Sequence, residues 1–188
     1  MIRTQLLLIS LLVASVVNSQ YRLDDKLSFM YVDGTSNLHD WTITVNQMTG
    51  SLKANIANKQ LKSIVKASIS IPVKSLKSEK SAMDENMYKA LKLSDHSTIS
   101  YELTKVEIVD SIIHSVGKLT IAGVTKEMKT KSTFRIVGEH IKFYGKMSLN
   151  MTDYNISPPE FLFGAFKTGN KVAIRYYFMF CNGLESKH

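Results

Sequence analysis

The chain has a single cysteine, Cys181, so no intrachain disulfide braces it and a folded domain has to rest on its own apolar core. Arginine is scarce as well: of the 24 lysines and arginines only Arg3, Arg22, Arg135 and Arg175 are arginine. Base reading and two-pronged phosphate gripping favour the guanidinium, which disfavours a nucleic-acid partner. No apolar run reaches the roughly 20 residues that a membrane-spanning helix needs. His39, His96, His114, His140 and His188 include no i, i+4 pair and stand near no cysteine cluster, which argues against a zinc site. A nucleophile elbow, a phosphate loop and a dinucleotide fingerprint are missing too. Asp24-Asp25 and Asp84-Glu85 are sequence neighbours whose side chains strand or helix geometry turns apart. The expectation is a protein without catalytic residues, cofactor or metal. No internal repeat or linker divides the chain.

At the start, Arg3, the apolar stretch Leu6–Val17 and the small-residue end Val17-Asn18-Ser19 read as a secretory signal cleaved before Gln20. This predicts export, to a periplasm or outside the cell, of one domain over residues 20–188, a length that buries a core without staples. The net charge of +8 is concentrated: residues 53–92 hold nine lysines against three acids. Such a patch suits an anionic lipid or a phosphorylated ligand, and transient contact with a membrane surface stays open. Outward lysines also keep strands soluble and guard sheet edges.

Period-two alternation dominates the rest. Ile141, Phe143, Gly145, Met147, Leu149 and Met151 share one face against Lys142, Tyr144, Lys146, Ser148 and Asn150, the pattern of a half-buried strand. The same reading puts Val65, Ala67, Ile69 and Ile71 on one face. It also gathers Val172, Ile174, Tyr176, Phe178 and Phe180, with Cys181 opposite as a buried or half-buried thiol. Nine runs result: 27–32, 41–47, 50–57, 61–71, 98–109, 112–121, 129–137, 139–151 and 172–181, spaced as in a sandwich or barrel. The apolar phase slips near Thr104-Lys105, which predicts a bulge.

One helix interrupts them. Ser81 is the expected cap for a helix from Ala82 to about Leu93, with Asp84 as a shortened capping-box partner. Met83, Met87 and Leu91 then form an apolar stripe with Ala90 beside it, either plugging the sheet or adapting to a ligand's tail. The segment 152–170, with Pro158-Pro159, Phe161, Phe163 and Phe166, is irregular and suits the cover of a barrel mouth. In His39-Asp40-Trp41, Asp40 is expected to bond turn amides while Trp41 fills the interior.

Three stretches carry a resemblance: Gly117-Lys118-Leu119-Thr120-Ile121-Ala122-Gly123-Val124-Thr125-Lys126, the Met83-Asp84-Glu85-Asn86-Met87 helix start, and Thr152-Asp153-Tyr154-Asn155-Ile156-Ser157-Pro158-Pro159. With these the chain resembles the YceI family from about Leu27 to Phe180. The resemblance implies an all-β fold, an exported antiparallel lipocalin-like barrel of about eight strands with one short helix, whose apolar lumen holds a polyisoprenoid or another long amphiphile.

From the strand phases, the candidates for that lumen are Trp41, Ile43, Phe134, Phe143, Met147, Tyr176 and Phe178, with Phe161 and Phe163 from the mouth segment. Lys74, Lys77, Lys80, Lys89 and Lys92 flank the helix, and if they gather at one mouth they hold an anionic head group. Gly123 is expected to need positive φ or a close backbone approach. The function these readings predict is a carrier or sequestering protein for a polyisoprenoid or fatty-acyl amphiphile, monomeric or homodimeric. The alternative is a barrel filled by its own side chains that serves as an interaction or stress-protective module.

Overall fold

The computed structural model describes residues 19–161 and 165–182. The signal reading of Met1–Ser19 therefore lies outside the described residues except for Ser19, and so does the Phe163 candidate. The strands are β1 Ser19–Leu23, β2 Phe29–Ser36, β3 Trp41–Val45, β4 Thr49–Ala57, β5 Gln60–Pro72, β6 Leu76–Lys77, β7 Thr98–Val109, β8 Ile112–Ile121, β9 Val124–Val137, β10 His140–Asn150, β11 Glu160–Phe161 and β12 Phe166–Asn182. Helix α1, Ser81–Ala90, lies between β6 and β7, and Val73–Ser75 and Met151–Tyr154 are single 3₁₀ turns.

Eight strands pair in the order β1-β4-β5-β7-β8-β9-β10-β12, and the antiparallel β1–β12 ladder closes the ring through Tyr21 opposite Asn182 and Leu23 opposite Phe180. This is the expected antiparallel barrel. Strand β12 is 17 residues long and serves two neighbours on one side. Its lower part meets β1, while Thr168–Tyr177 meets β2, which leads on to β3 and β6. The turns at 57–60, 109–112 and 137–140 form the lower end. Those at 36–41 and 121–124, with α1, form the upper.

Side-chain period decides which residues build the core. Along β8 the burial alternates strictly, with Ile113, Ser115, Gly117, Leu119 and Ile121 inward. The lower end is filled: Ile141 and Ala54 are fully buried, with Leu52, Tyr21 and Phe180 packed in the same cluster. The predicted slip near Thr104 is present as a register shift between Leu103 and Lys105.

Several expectations need correction. β1 went unread because five residues with only Tyr21 and Leu23 inward carry too little alternation to stand out. A second register shift, between Lys53 and Ala54, pairs Ala54 with Ile64 and drops Val65 from the ladder. Val65 therefore faces solvent at 57% exposure, and Ile64 takes the inward place. Ser81 is the first helical residue rather than the cap, a place taken by Lys80 with no side-chain capping bond, and α1 ends at Ala90, short of the expected Leu93. Nor does Asp40 serve the turn before β3: the Leu38 and His39 N–H groups donate instead to the Ser36 hydroxyl, at 3.2 and 3.1 Å.

The β8–β9 turn is a two-residue hairpin with Ala122 at φ 48° and Gly123 at φ 79°. Both residues are left-handed, as a primed turn between twisted strands requires. A Cβ at Gly123 would also run into the His96 ring. Positive φ and close approach thus coincide at this glycine, and a substitution meets both.

Candidate functional site

Inward faces of nearly every strand line one cavity of about 560 Å³. The volume lies within the range of about 300–1,000 Å³ of pockets that enclose a small molecule. At a water-sized share of about 30 Å³ per group it holds about 20 methylene-sized units. The wall is apolar over most of its extent: Val32, Ile43, Ile69, Ile99, Leu119, Phe143, Met147 and Phe178 belong to it. Helix α1 covers part of it with Met83, Met87, Ala90 and Leu91, so the stripe read from the sequence lines the cavity.

How this space stays open follows from three glycine–aromatic pairs. Gly34 lies under the Trp41 ring, Gly117 under Tyr101 and Gly145 under Tyr176, so closely that a Cβ at any of the three would overlap the ring. Trp41, Tyr101 and Tyr176 all line the cavity. With no side chain beneath it, each ring lies close against the neighbouring strand, leaving the centre free. The Trp41 Nε1–H donates to the Thr35 carbonyl at 3.1 Å, and Tyr176 stacks on Phe178 at 4.8 Å and 19°, which fixes both rings.

Of the lumen candidates, Trp41, Ile43, Phe143, Met147, Tyr176 and Phe178 come together around this cavity. Phe134 does not line it. It shares the inward phase but sits opposite Phe143 near the lower turn, half-buried against the packed core. Phe161 pairs with Phe166 in the β11–β12 ladder, and its side chain lies outside what the structure describes.

The five lysines do not gather at a mouth. Lys80 alone among them lines the cavity. Lys77 is held 3.3 Å from the Asp84 carboxylate and lies over the Tyr88 ring, while Lys74, Lys89 and Lys92 point to solvent. The upper rim instead joins Ser36, Leu38 and His39 of the β2–β3 turn to Lys80, Pro159 and Lys167. Lys167 belongs to the upper part of β12, which the sequence pattern left irregular.

Four inward hydroxyls went unread. Ser115 and Thr130 meet at 2.6 Å, and Ser132 and Tyr176 meet at 2.6 Å. All four line the cavity. Burial pushes the Tyr176 phenol pKa up, the hydroxyls of Ser132 and Thr130 act against this, and the nearby Tyr101 adds to the rise. The phenol is therefore neutral throughout the physiological range. The phase of β9, readable from Phe134, was the available signal for Thr130 and Ser132. Among the described residues no three His, Cys, Asp or Glu side chains cluster as a metal site would need.

An apolar cavity inside a closed antiparallel ring, under one short helix, is a geometry that known proteins share, and a YceI-like domain model matches residues 21–180. The chain belongs to the YceI-like family. Solved structures agree at the level of fold. This YceI-like chain is similar to BcnA of Burkholderia cenocepacia, with a TM-score of 0.72 at 13% identity over 84% of this chain and 98% of that one. It is similar to a domain of Saccharophagus degradans described as polyisoprenoid binding and implicated in plant cell wall breakdown, with a TM-score of 0.67 at 13% identity over 86% and 98%. A Campylobacter jejuni YceI protein gives a TM-score of 0.54 at 19% identity over 61% and 70%. No curated protein matches the chain.

Proposed function

We propose that this protein is an exported carrier or sequestering protein that encloses the chain of a polyisoprenoid or similar long amphiphile in its lumen and performs no covalent chemistry on it. The observation that carries the reading is the apolar cavity of about 560 Å³ kept open by rings laid over glycines. Family membership supports it, as does the description of the Saccharophagus domain as polyisoprenoid binding. Export, to a periplasm or outside the cell, rests on the signal-like Met1–Ser19 segment.

The magnitude is reasonable for a carrier. About 20 enclosed carbons at about 0.3 kcal/mol each give roughly 6 kcal/mol, a dissociation constant of tens of micromolar, and longer chains tighten it. Trp41, the one tryptophan of the chain, lines the cavity and reports occupancy directly. Titration with geranylgeraniol should give a saturable change in Trp41 emission with an affinity of tens of micromolar or better. The affinity should hold from low to high salt, because a neutral ligand leaves the rim cations Lys80 and Lys167 without a charge to attract. No saturable change up to the solubility limit would favour the interaction or stress-protective module instead.

A further inference from the structure

Four hydroxyls make a polar stretch of the wall that lies away from the rim. Ser115 is six residues from the upper end of β8, about 20 Å along the strand, so the group sits in the lower half of the lumen. Its members come from three strands: Ser115 on β8, Thr130 and Ser132 on β9, and Tyr176 on β12. They form a line of two hydrogen-bonded pairs, Ser115–Thr130 and Ser132–Tyr176. Each hydroxyl brings one O–H donor and each pair uses one, so each pair leaves one donor over. Buried polar groups normally find their full set of partners, and apolar residues would have packed this wall without the desolvation cost.

We propose that this hydroxyl line recognises a neutral hydrogen-bond acceptor on the ligand, a carbonyl or ether oxygen, held deep in the lumen while the hydrocarbon chain runs up beneath α1 toward the mouth. The inference rests on the carrier reading and adds the class of head group and its orientation. An anionic head is a poor match, since the cavity's lysines, Lys80 and Lys167, stand at the rim and a buried anion without a partner is strongly disfavoured. A ligand of hydrocarbon alone leaves the spare donors unused.

The test uses the whole mature protein with a long-chain methyl ketone, carbon-13 labelled at the carbonyl, and the alkane of the same length, both delivered from cyclodextrin. Trp41 emission reads affinity, and infrared spectroscopy reads the labelled carbonyl. Wild type should bind the ketone about three- to tenfold tighter than the alkane, the range of one neutral hydrogen bond. The bound carbonyl stretch should fall below its value in hexane. In the variant Ser115→Ala/Thr130→Val/Ser132→Ala/Tyr176→Phe, which keeps the Tyr176 ring over Gly145, both the preference and the infrared shift should vanish while alkane binding persists. Equal affinities, or a carbonyl stretch at its hexane value in wild type, overturn the inference and leave the carrier reading standing. Binding of neither ligand sinks both. The infrared measurement needs only wild type, so it decides the matter even if the fourfold variant does not fold.

Discussion

Replacing Gly145 by alanine should remove most of the ligand affinity while the barrel stays folded. The new Cβ would overlap the Tyr176 ring, which lies across Gly145 from the adjoining strand. Backbone ladders hold both strands, so the ring is the part that gives, and it turns from the wall into the lumen. A phenol ring there displaces about seven ligand atoms, worth roughly 2 kcal/mol or about thirtyfold in affinity. The strain of overpacking costs about 1–3 kcal/mol of stability. Far-ultraviolet circular dichroism should keep its β-sheet form while the Trp41 titration weakens. Adding Tyr176→Ala to the same chain should restore much of the binding, because it removes the displaced ring. Unchanged affinity in the single variant would mean that the lumen is not where the ligand lies.

The next largest effect is expected at Asp84→Ala, through the helix that covers the cavity. The Asp84 carboxylate accepts hydrogen bonds from the Ser78 N–H and from the Ser78 hydroxyl, each at 2.7 Å, and meets Lys77. Tyr88, one turn on, donates to the Leu76 carbonyl at 2.8 Å. Together these tie α1 to the strand before it. Burial alone would raise the Asp84 pKa, but the two Ser78 donors and Lys77 outweigh it and hold the value below the ordinary carboxylate range. Removing the carboxylate takes the charged acceptor from the half-buried Ser78 N–H and hydroxyl, a loss of about 1–3 kcal/mol. The urea midpoint should fall, and stopped-flow release of a bound prenyl alcohol should quicken as Met83 and Met87 loosen over the cavity. A depressed native pKa means that this stabilisation is complete above the unfolded value of about 4 and is lost as pH falls through the folded value. Release from wild type should therefore quicken in acid, and release from the variant should show less of that dependence. Equal midpoints and equal release rates would reduce Asp84 to a surface detail.

Much of the fold was legible because one physical signal, the period of the side chains, sets both the strand and its buried face. Strand β10 was readable almost residue for residue, and the phase slip at Thr104 gave away a bulge. The slip at Val65 was not readable, since a β-branched apolar residue looks inward wherever it stands and only the partner strand shows that it was skipped. Closure was hidden for a similar reason. Tyr21 and Leu23 become a strand only because β4 and β12 present edges on either side of them.

For the site, phase places a residue on a face without giving its height along the barrel. Phe143 and Phe134 share the inward phase and face one another, yet only Phe143 lines the cavity. Charge along the chain was a weaker guide still: Lys77 and Lys80 are three residues apart, and one is bound to Asp84 while the other borders the cavity. The hydroxyl line depends on the register of several strands at once, which no single stretch of sequence contains.

The central claim, that the lumen encloses a long amphiphile, is tested most directly by what the protein carries out of its own cell. Protein purified from its native source without detergent should be extracted into an apolar solvent and the extract weighed by mass spectrometry against protein concentration. One long-chain prenyl or acyl compound at close to one molecule per chain is the predicted result, falling sharply in the Gly145→Ala variant. An extract with no such compound above the level given by an unrelated protein purified in the same way would contradict the account.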